Sequence, residues 1–366
     1  MVQTDENPFE EKDEIFEAKQ PLKKDSFDPD TIFHRDDEIA LYVNALQDVV
    51  VGHDPNNIFV FGPTGVGKTA VTKWVRDKLQ EKAVEEGVPL HVIGPINCRN
   101  YRSAYSLVTS LVNEFREPDN KLPESGYSTD NVFDFLYEEI ETVGGNVLII
   151  LDEIDNIPPD ARNDFLYDLP RAEANENTPI EAAKIGLIGI SNDLKFVDVL
   201  EPKVKSTLGE REIKFGPYNA NELRDILRQR TEIAFYNGVV PQEVIAKCAA
   251  FGAKDAGDAR QSLDLLMEAG DIAVEENAAK LTEAHIDAAR TAQKKWAATG
   301  LEARQTILMN IGNELMERRI ELGTLLSREE GKPLAEGVGE IYRAGQFFTY
   351  YAAEVLRQIG DTADSV

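Results

Sequence analysis

Cysteine is scarce in this chain: Cys98 and Cys248 alone occur among 366 residues, far apart and without metal-ligand spacing. Neither a disulfide framework nor a zinc site follows from them, and both are expected as buried small hydrophobes. Long apolar runs are lacking too. No stretch approaches the roughly 18 residues needed to cross a bilayer, and Met1 to Phe16 is acidic where a secretory leader would be basic and then apolar. No membrane partner is expected, and the location expected is cytoplasmic. Basic residues are in short supply, leaving a net charge of -27, which opposes contact with nucleic-acid phosphates. In a salt-rich cytoplasm the screening length falls to about 3 Å at 1 M, so long-range repulsion nearly vanishes. A halophilic source would reconcile the acidity with a polyanionic partner; the alternative is an ordinary acidic protein that never touches nucleic acid.

With 42% hydrophobic residues the chain can fill two or three cores. Residues 1–25 are polar, acidic and broken by Pro8 and Pro21, and read as a disordered tail. From Phe27 to Phe215, short apolar runs alternate with amphipathic helical stretches, the pattern of a parallel sheet covered by helices. Such runs are Ile58 to Phe61, Val147 to Leu151 and Ile185 to Ile190. After Gly216-Pro217 the strands stop. Ala220 to Arg230, Pro241 to Phe251 and Ala259 to Val274 then read as helices of a small second domain.

Gly62-Pro63-Thr64-Gly65-Val66-Gly67-Lys68-Thr69 follows an apolar strand and opens a helix whose apolar face is Ala70, Val71, Trp74, Val75 and Leu79. This is a phosphate-binding loop in its proper setting. Its glycines let backbone N–H groups, with the helix N-terminus behind them, point at phosphate oxygens. Lys68, expected as a surface group, adds a charge at the β- and γ-phosphates, and Thr69 offers a hydroxyl to magnesium. The loop implies ATP or ADP. The strand Val147 to Leu151 ends in Asp152-Glu153-Ile154-Asp155. At the C-terminal edge of a parallel sheet, Asp152 suits a magnesium site and Glu153 the orientation or deprotonation of a water. The run Ile185 to Ile190 leads to Ser191-Asn192, where Asn192 serves either as a turn or cap residue or as a polar group near the γ-phosphate. In Gly257-Asp258-Ala259-Arg260, Asp258 stands near a helix N-cap; Arg260 either reaches the nucleotide or is a solvated arginine.

These elements, in this order, resemble the AAA+ superfamily. Finer details resemble the archaeal initiators related to the origin recognition complex and its Cdc-type loader. They are His34-Arg35-Asp36-Asp37-Glu38-Ile39 ahead of the loop, Asn97-Cys98-Arg99 after the second strand, Gly189-Ile190-Ser191-Asn192-Asp193-Leu194 and Phe215-Gly216-Pro217-Tyr218. The resemblance covers about residues 26–292. It implies an AAA+ ATP-binding domain over 26–215 and a helical lid over 216–292. It also implies Tyr218 and Arg230 lining the nucleotide from the lid, with Arg260 as the second sensor. The partners implied are origin DNA, the replicative helicase and other initiator subunits. Lys203 stands where the family often carries an arginine directed at a neighbour's nucleotide, and lysine lacks the guanidinium fork.

The family ends in a winged helix that reads origin DNA, but residues 293–366 do not look like one. Trp296 to Thr299, Arg304 to Leu308, Glu330 to Leu334 and Gly339 to Ile341 instead resemble the N-terminal helical stretch of aldehyde dehydrogenases. The stretch has no cysteine nucleophile and no dinucleotide fingerprint, so that activity is not expected. Periodicity predicts a helical hairpin, Leu301 to Leu326 and Leu334 to Ile359, turned at Gly331-Lys332-Pro333. The function expected is an initiator switched by ATP binding and slow hydrolysis. The alternative is a nucleotide-binding remnant or fusion product without sequence-specific DNA binding.

Overall fold

The protein is seen in a computed structural model that describes residues 14–23, 31–123, 125–176, 178–193, 195–208 and 211–357. It divides into two compact units, residues 1–287 and 288–366. The first unit holds α1 (Asp36–Leu46), β1 (Ile58–Phe61), α2 (Lys68–Glu86), β2 (Leu90–Asn97), α3 (Ala104–Phe115), α4 (Thr129–Val143) and β3 (Asn146–Asp152). There follow β4 (Lys184–Ser191), α5 (Pro202–Leu208), β5 (Arg211–Lys214), α6 (Ala220–Ala234), α7 (Gln242–Lys254) and α8 (Ala259–Glu275). The remaining helices are α9 (Glu283–Ala297), α10 (Leu301–Glu317), α11 (Arg319–Glu330) and α12 (Leu334–Glu354).

The five strands form one parallel sheet in the order β2-β3-β4-β1-β5. Every residue of β3 is buried, as a strand covered by helices on both faces requires. Its side chains alternate between two cores. Val147, Ile149 and Leu151 join Leu107, Leu111, Leu136 and Phe165 on one face, while Leu148 and Ile150 join Val71, Val75 and Ile190 on the other. The order places the ends of β3, β4 and β1 side by side, so Asp152, Asn192 and the loop after Phe61 converge without any long side chain having to reach.

Beyond Lys214 the first unit continues as helices α6 to α8, the predicted lid. Asn219 caps α6, accepting from the N–H groups of Asn221 and Glu222, and Glu222 returns the bond to the N–H of Asn219. Asp258 caps α8, its carboxylate accepting from the N–H groups of Arg260 and Gln261.

The expectation of a disordered N-terminal tail fails for residues 14–23. Ile15, Phe16 and Leu22 are buried. Phe16 bridges Phe235 with ring centroids 4.7 Å apart. The N–H groups of Glu17 and Ala18 donate to the carbonyl of Ala234, and the Lys19 ammonium lies 2.6 Å from Asp271. Three apolar side chains with main-chain bonds suffice to order a short segment against the lid. Residues 1–13 and 24–30 lie outside the described residues.

In the second unit the first arm of the expected hairpin is two helices, with Arg318 between α10 and α11. The polar run Glu317-Arg318-Arg319 interrupts the apolar stripe there, and the Arg318 guanidinium bonds both Glu314 and Glu321. Helix α12 packs along both. Gly312 and Gly345 meet so closely that a Cβ on either would stand 2.8 Å from the other's carbonyl oxygen. The end of the second predicted arm, from residue 358, lies outside the described residues.

Candidate functional site

The loop between β1 and α2 is shaped by glycine. Gly65 and Gly67 have φ of +76° and +88°, which L side chains rarely adopt. Gly67 then caps α2, whose first residue is Lys68. The expectation of a surface Lys68 is corrected here, for the residue is only 5% exposed. Its ammonium donates to the carbonyls of Gly62 and Pro63, each at 2.7 Å, and to Oδ1 of Asn192 at 2.8 Å. Burial lowers the lysine's pKa to about 8, with the charge of Arg260 acting in the same direction and Asp152 opposing it.

Beside the lysine, the Thr69 hydroxyl donates to Asp152 Oδ2 at 2.7 Å, while Oδ1 accepts from the N–H of Glu153 at 2.8 Å. Burial raises the Asp152 carboxyl above its ordinary pKa, against these hydrogen bonds and the charge of Lys68. Glu153 has φ of +53°, a strained conformation for a residue with a Cβ. Its Oε1 lies 3.4 Å from Nδ2 of Asn192. Asn192 therefore stands between the ammonium and the carboxylate, its carbonyl toward one and its amide toward the other.

The lid closes on the loop. The Ala259 N–H donates to the carbonyl of Gly65 at 3.0 Å, and a Cβ on Gly65 would stand 1.7 Å from Oδ1 of Asp258. A Cβ on Gly67 would meet the Tyr218 hydroxyl at 2.7 Å. Arg260 is the second residue of α8, and its charge is felt at both Lys68 and Asp152. Thus Lys68, Thr69, Asp152, Glu153, Asn192, Tyr218 and Arg260 gather around one loop. Arg230 is half-buried on α6. The Lys203 ammonium sits over the Tyr167 ring at 5.0 Å and 3.5 Å from Glu201. Leu194 of the quoted motif lies outside the described residues.

Three further groups complete the arrangement. Arg35 is 5% exposed. Its guanidinium bonds Glu38 and the carbonyl of Gly216, each at 2.8 Å, and lies 3.8 Å over the Tyr218 ring. His34 Nε2 meets Asp225 of α6 at 2.8 Å. Asp155 accepts from the Ser191 hydroxyl at 2.7 Å. All three lie in quoted motifs, but apart from Glu38 beside Arg35 the hydrogen-bond partners Asp225, Gly216 and Ser191 are 36 to 191 residues away in sequence, which periodicity does not reveal.

Comparison with known proteins agrees with this architecture. An AAA domain family model matches residues 51–190, and a Cdc6 AAA+ ATPase-type lid domain model matches residues 224–291. The ORC1-type DNA replication protein of Pyrococcus abyssi is 38% identical over 330 residues, covering 90% of this chain and 75% of that protein. The chain belongs to the ORC1-type DNA replication protein family. ORC1-type DNA replication protein 8 of Haloarcula marismortui is 74% identical over 285 residues, and the match spans 78% of this chain but 64% of that relative. Among solved structures, the Aeropyrum pernix ORC1 protein in complex with DNA has a TM-score of 0.69 and 30% identity, over 93% of this chain and 88% of that one. An aldehyde dehydrogenase family model matches residues 271–365, overlapping the end of the lid match in this family member.

Proposed function

We propose that this chain is a replication initiator that takes ATP at the junction of sheet and lid and uses it to set their contacts with origin DNA. The observation that carries the reading is the direct seating of the lid helix on the phosphate loop, Ala259 on Gly65. A ligand bound at that loop acts on the lid as well, and so has two states to bias.

The residues present fit a nucleotide and a magnesium ion. Gly62, Pro63, Thr64, Gly65, Val66 and Gly67 form a bend closed by a buried ammonium that already faces three oxygen acceptors. Phosphate oxygens would take the place of those acceptors. Thr69 and Asp152 set two oxygens side by side, hard donors suited to magnesium. The metal would supply charge neutralisation at the phosphates. Glu153 then orients the attacking water and accepts its proton, while Asn192 keeps Lys68 and Glu153 apart. Tyr218, held by Arg35, and Arg260 face the nucleotide from the lid.

ATP here is a switching ligand and its hydrolysis a slow reset. The helicase and other initiator subunits are the partners this role requires, and the cytoplasm is its location. Among the described residues no helix is long and apolar enough to cross a membrane. Footprinting on origin DNA with and without ATP tests the proposal, which predicts protection that depends on ATP. A second reading, a nucleotide-binding remnant without sequence-specific DNA binding, is favoured by the aldehyde dehydrogenase match at 271–365. It predicts ATP binding without a footprint.

A further inference from the structure

We infer that Asp155 is the positioning residue for Asn192, fastening the exit of β4 to the exit of β3 so that the Asn192 amide stands between Lys68 and Glu153. The inference rests on the nucleotide reading only for its effect on hydrolysis.

Asp155 lies in the short turn Ile154–Asn156 that follows β3. Its Oδ1 accepts from the Ser191 hydroxyl at 2.7 Å and from the N–H of Asn192 at 3.3 Å. Ser191 is fully buried, so its hydroxyl depends on protein partners, and it also accepts the N–H of Asp193 at 3.0 Å. The turn is itself held, since Arg162 donates to the carbonyls of Asp155 and Ile157. One carboxylate oxygen thus fixes the backbone of Asn192 from a held loop. The side-chain amide then has its orientation set by charge, Oδ1 toward the Lys68 ammonium and Nδ2 toward Glu153. Asp155 acts through Asn192, as an acceptor that fixes a strand end.

A second mode of action is physically distinct: the negative charge of Asp155 acts directly on Lys68. Asp155→Asn separates the two, because the amide oxygen still accepts from Ser191 and Asn192 while the charge is gone.

The test uses the full chain in concentrated KCl. Asp155→Ala is expected to slow single-turnover ATP hydrolysis about ten- to hundredfold, with ATP affinity within about threefold, because misplacement affects the transition state more than binding. Asp155→Asn is expected to stay within about threefold of the parent in both. Ser191→Ala gives a smaller loss, and adding it to Asp155→Ala costs nothing more, since both remove one contact. It also carries the hydrolysis test by itself if Asp155→Ala does not fold. A nitrogen-15 spectrum of the Asn192 side-chain amide supplies a readout that needs no turnover: the signal moves in Asp155→Ala and Ser191→Ala and holds its place in Asp155→Asn. Parent-like hydrolysis in Asp155→Ala, equal defects in the Ala and Asn variants, or an unmoved Asn192 signal would each overturn the inference. If the parent chain neither binds nor hydrolyses ATP, the nucleotide reading falls and the Asn192 signal alone decides the role of Asp155.

Discussion

Ala259, the first residue of the lid helix α8, donates its N–H to the carbonyl of Gly65 in the phosphate loop at 3.0 Å. The contact joins residues 194 positions apart and leaves no room for a side chain on the loop, because a Cβ on Gly65 would stand 1.7 Å from the Asp258 carboxylate. Gly65→Ala should therefore cost at least about 1–2 kcal/mol from its φ of +76°, and should also push the lid helix away. Thermal unfolding and ATP titration check this. A lowered transition with weakened ATP binding is expected, whereas unchanged values for both would mean that lid and loop are not in contact in solution.

Lys68 sets a pH dependence whose sign follows from its burial. Its pKa is lowered to about 8 before any anion is present, and a phosphate beside it would favour the charged form and raise that value. Binding above pH 8 must then take up a proton. ATP affinity should be flat below about pH 7 and weaken above pH 8, by no more than about tenfold per pH unit for one proton. Calorimetry at pH 7 and pH 9 in buffers of different ionisation enthalpy reads both the affinity and the proton uptake. Equal affinities without uptake would assign the phosphate contact to another group.

The N-terminal segment should contribute to lid stability. Phe16 is 4% exposed and packs on Phe235 and against Gly270. Phe16→Ala should destabilise the first unit by about 3 kcal/mol, the low end for a buried phenylalanine. Denaturant unfolding checks the value. A loss below about 0.5 kcal/mol, as for an ordinary surface site, would show that the segment is not docked.

The parallel sheet and the helical lid were legible in the sequence because their signals are local. The apolar run Val147 to Leu151, with acids immediately behind it, can hardly be other than a buried strand, and a glycine loop before Lys68-Thr69 needs no distant partner to be recognised. The two cysteines, read as buried hydrophobes, are fully buried, and burial raises both thiols. Three features were not legible. Ile15, Phe16 and Leu22 lie too sparsely among polar residues to show a period, and the lid residues that order the segment, such as Phe235 and Ala234, are distant in sequence. Lys68 looked like a surface group since nothing in its neighbourhood announces the carbonyls that bury it. Asp258 could be read as a helix cap, but its place against Gly65 depends on how the lid folds back.

DNA contact should be weak in sequence preference. Arg99 and Arg102 are exposed in the connection between β2 and α3, and Arg211 is exposed on β5, which suits phosphate contacts and not a helix laid in a groove. Titration across a salt series should show binding that falls steeply with added KCl. Origin repeats should be preferred over random duplex, enough for an ATP-dependent footprint, but by less than about 1000-fold, the lower bound for specific readers. A larger preference would mean that a further element of the chain reads base edges.

The role proposed for Lys68 is to hold the phosphates of a nucleotide in its loop. It is tested most directly by calorimetric titration of ATP with magnesium into the full chain and its Lys68→Ala variant at pH 7 in concentrated KCl. Saturable binding to the parent is expected, with affinity lowered about a hundredfold in the variant, the worth of a hydrogen-bonded charge at about 3 kcal/mol, while both chains remain folded by circular dichroism. Equal affinity in the two folded chains, or no binding to the parent, would contradict it.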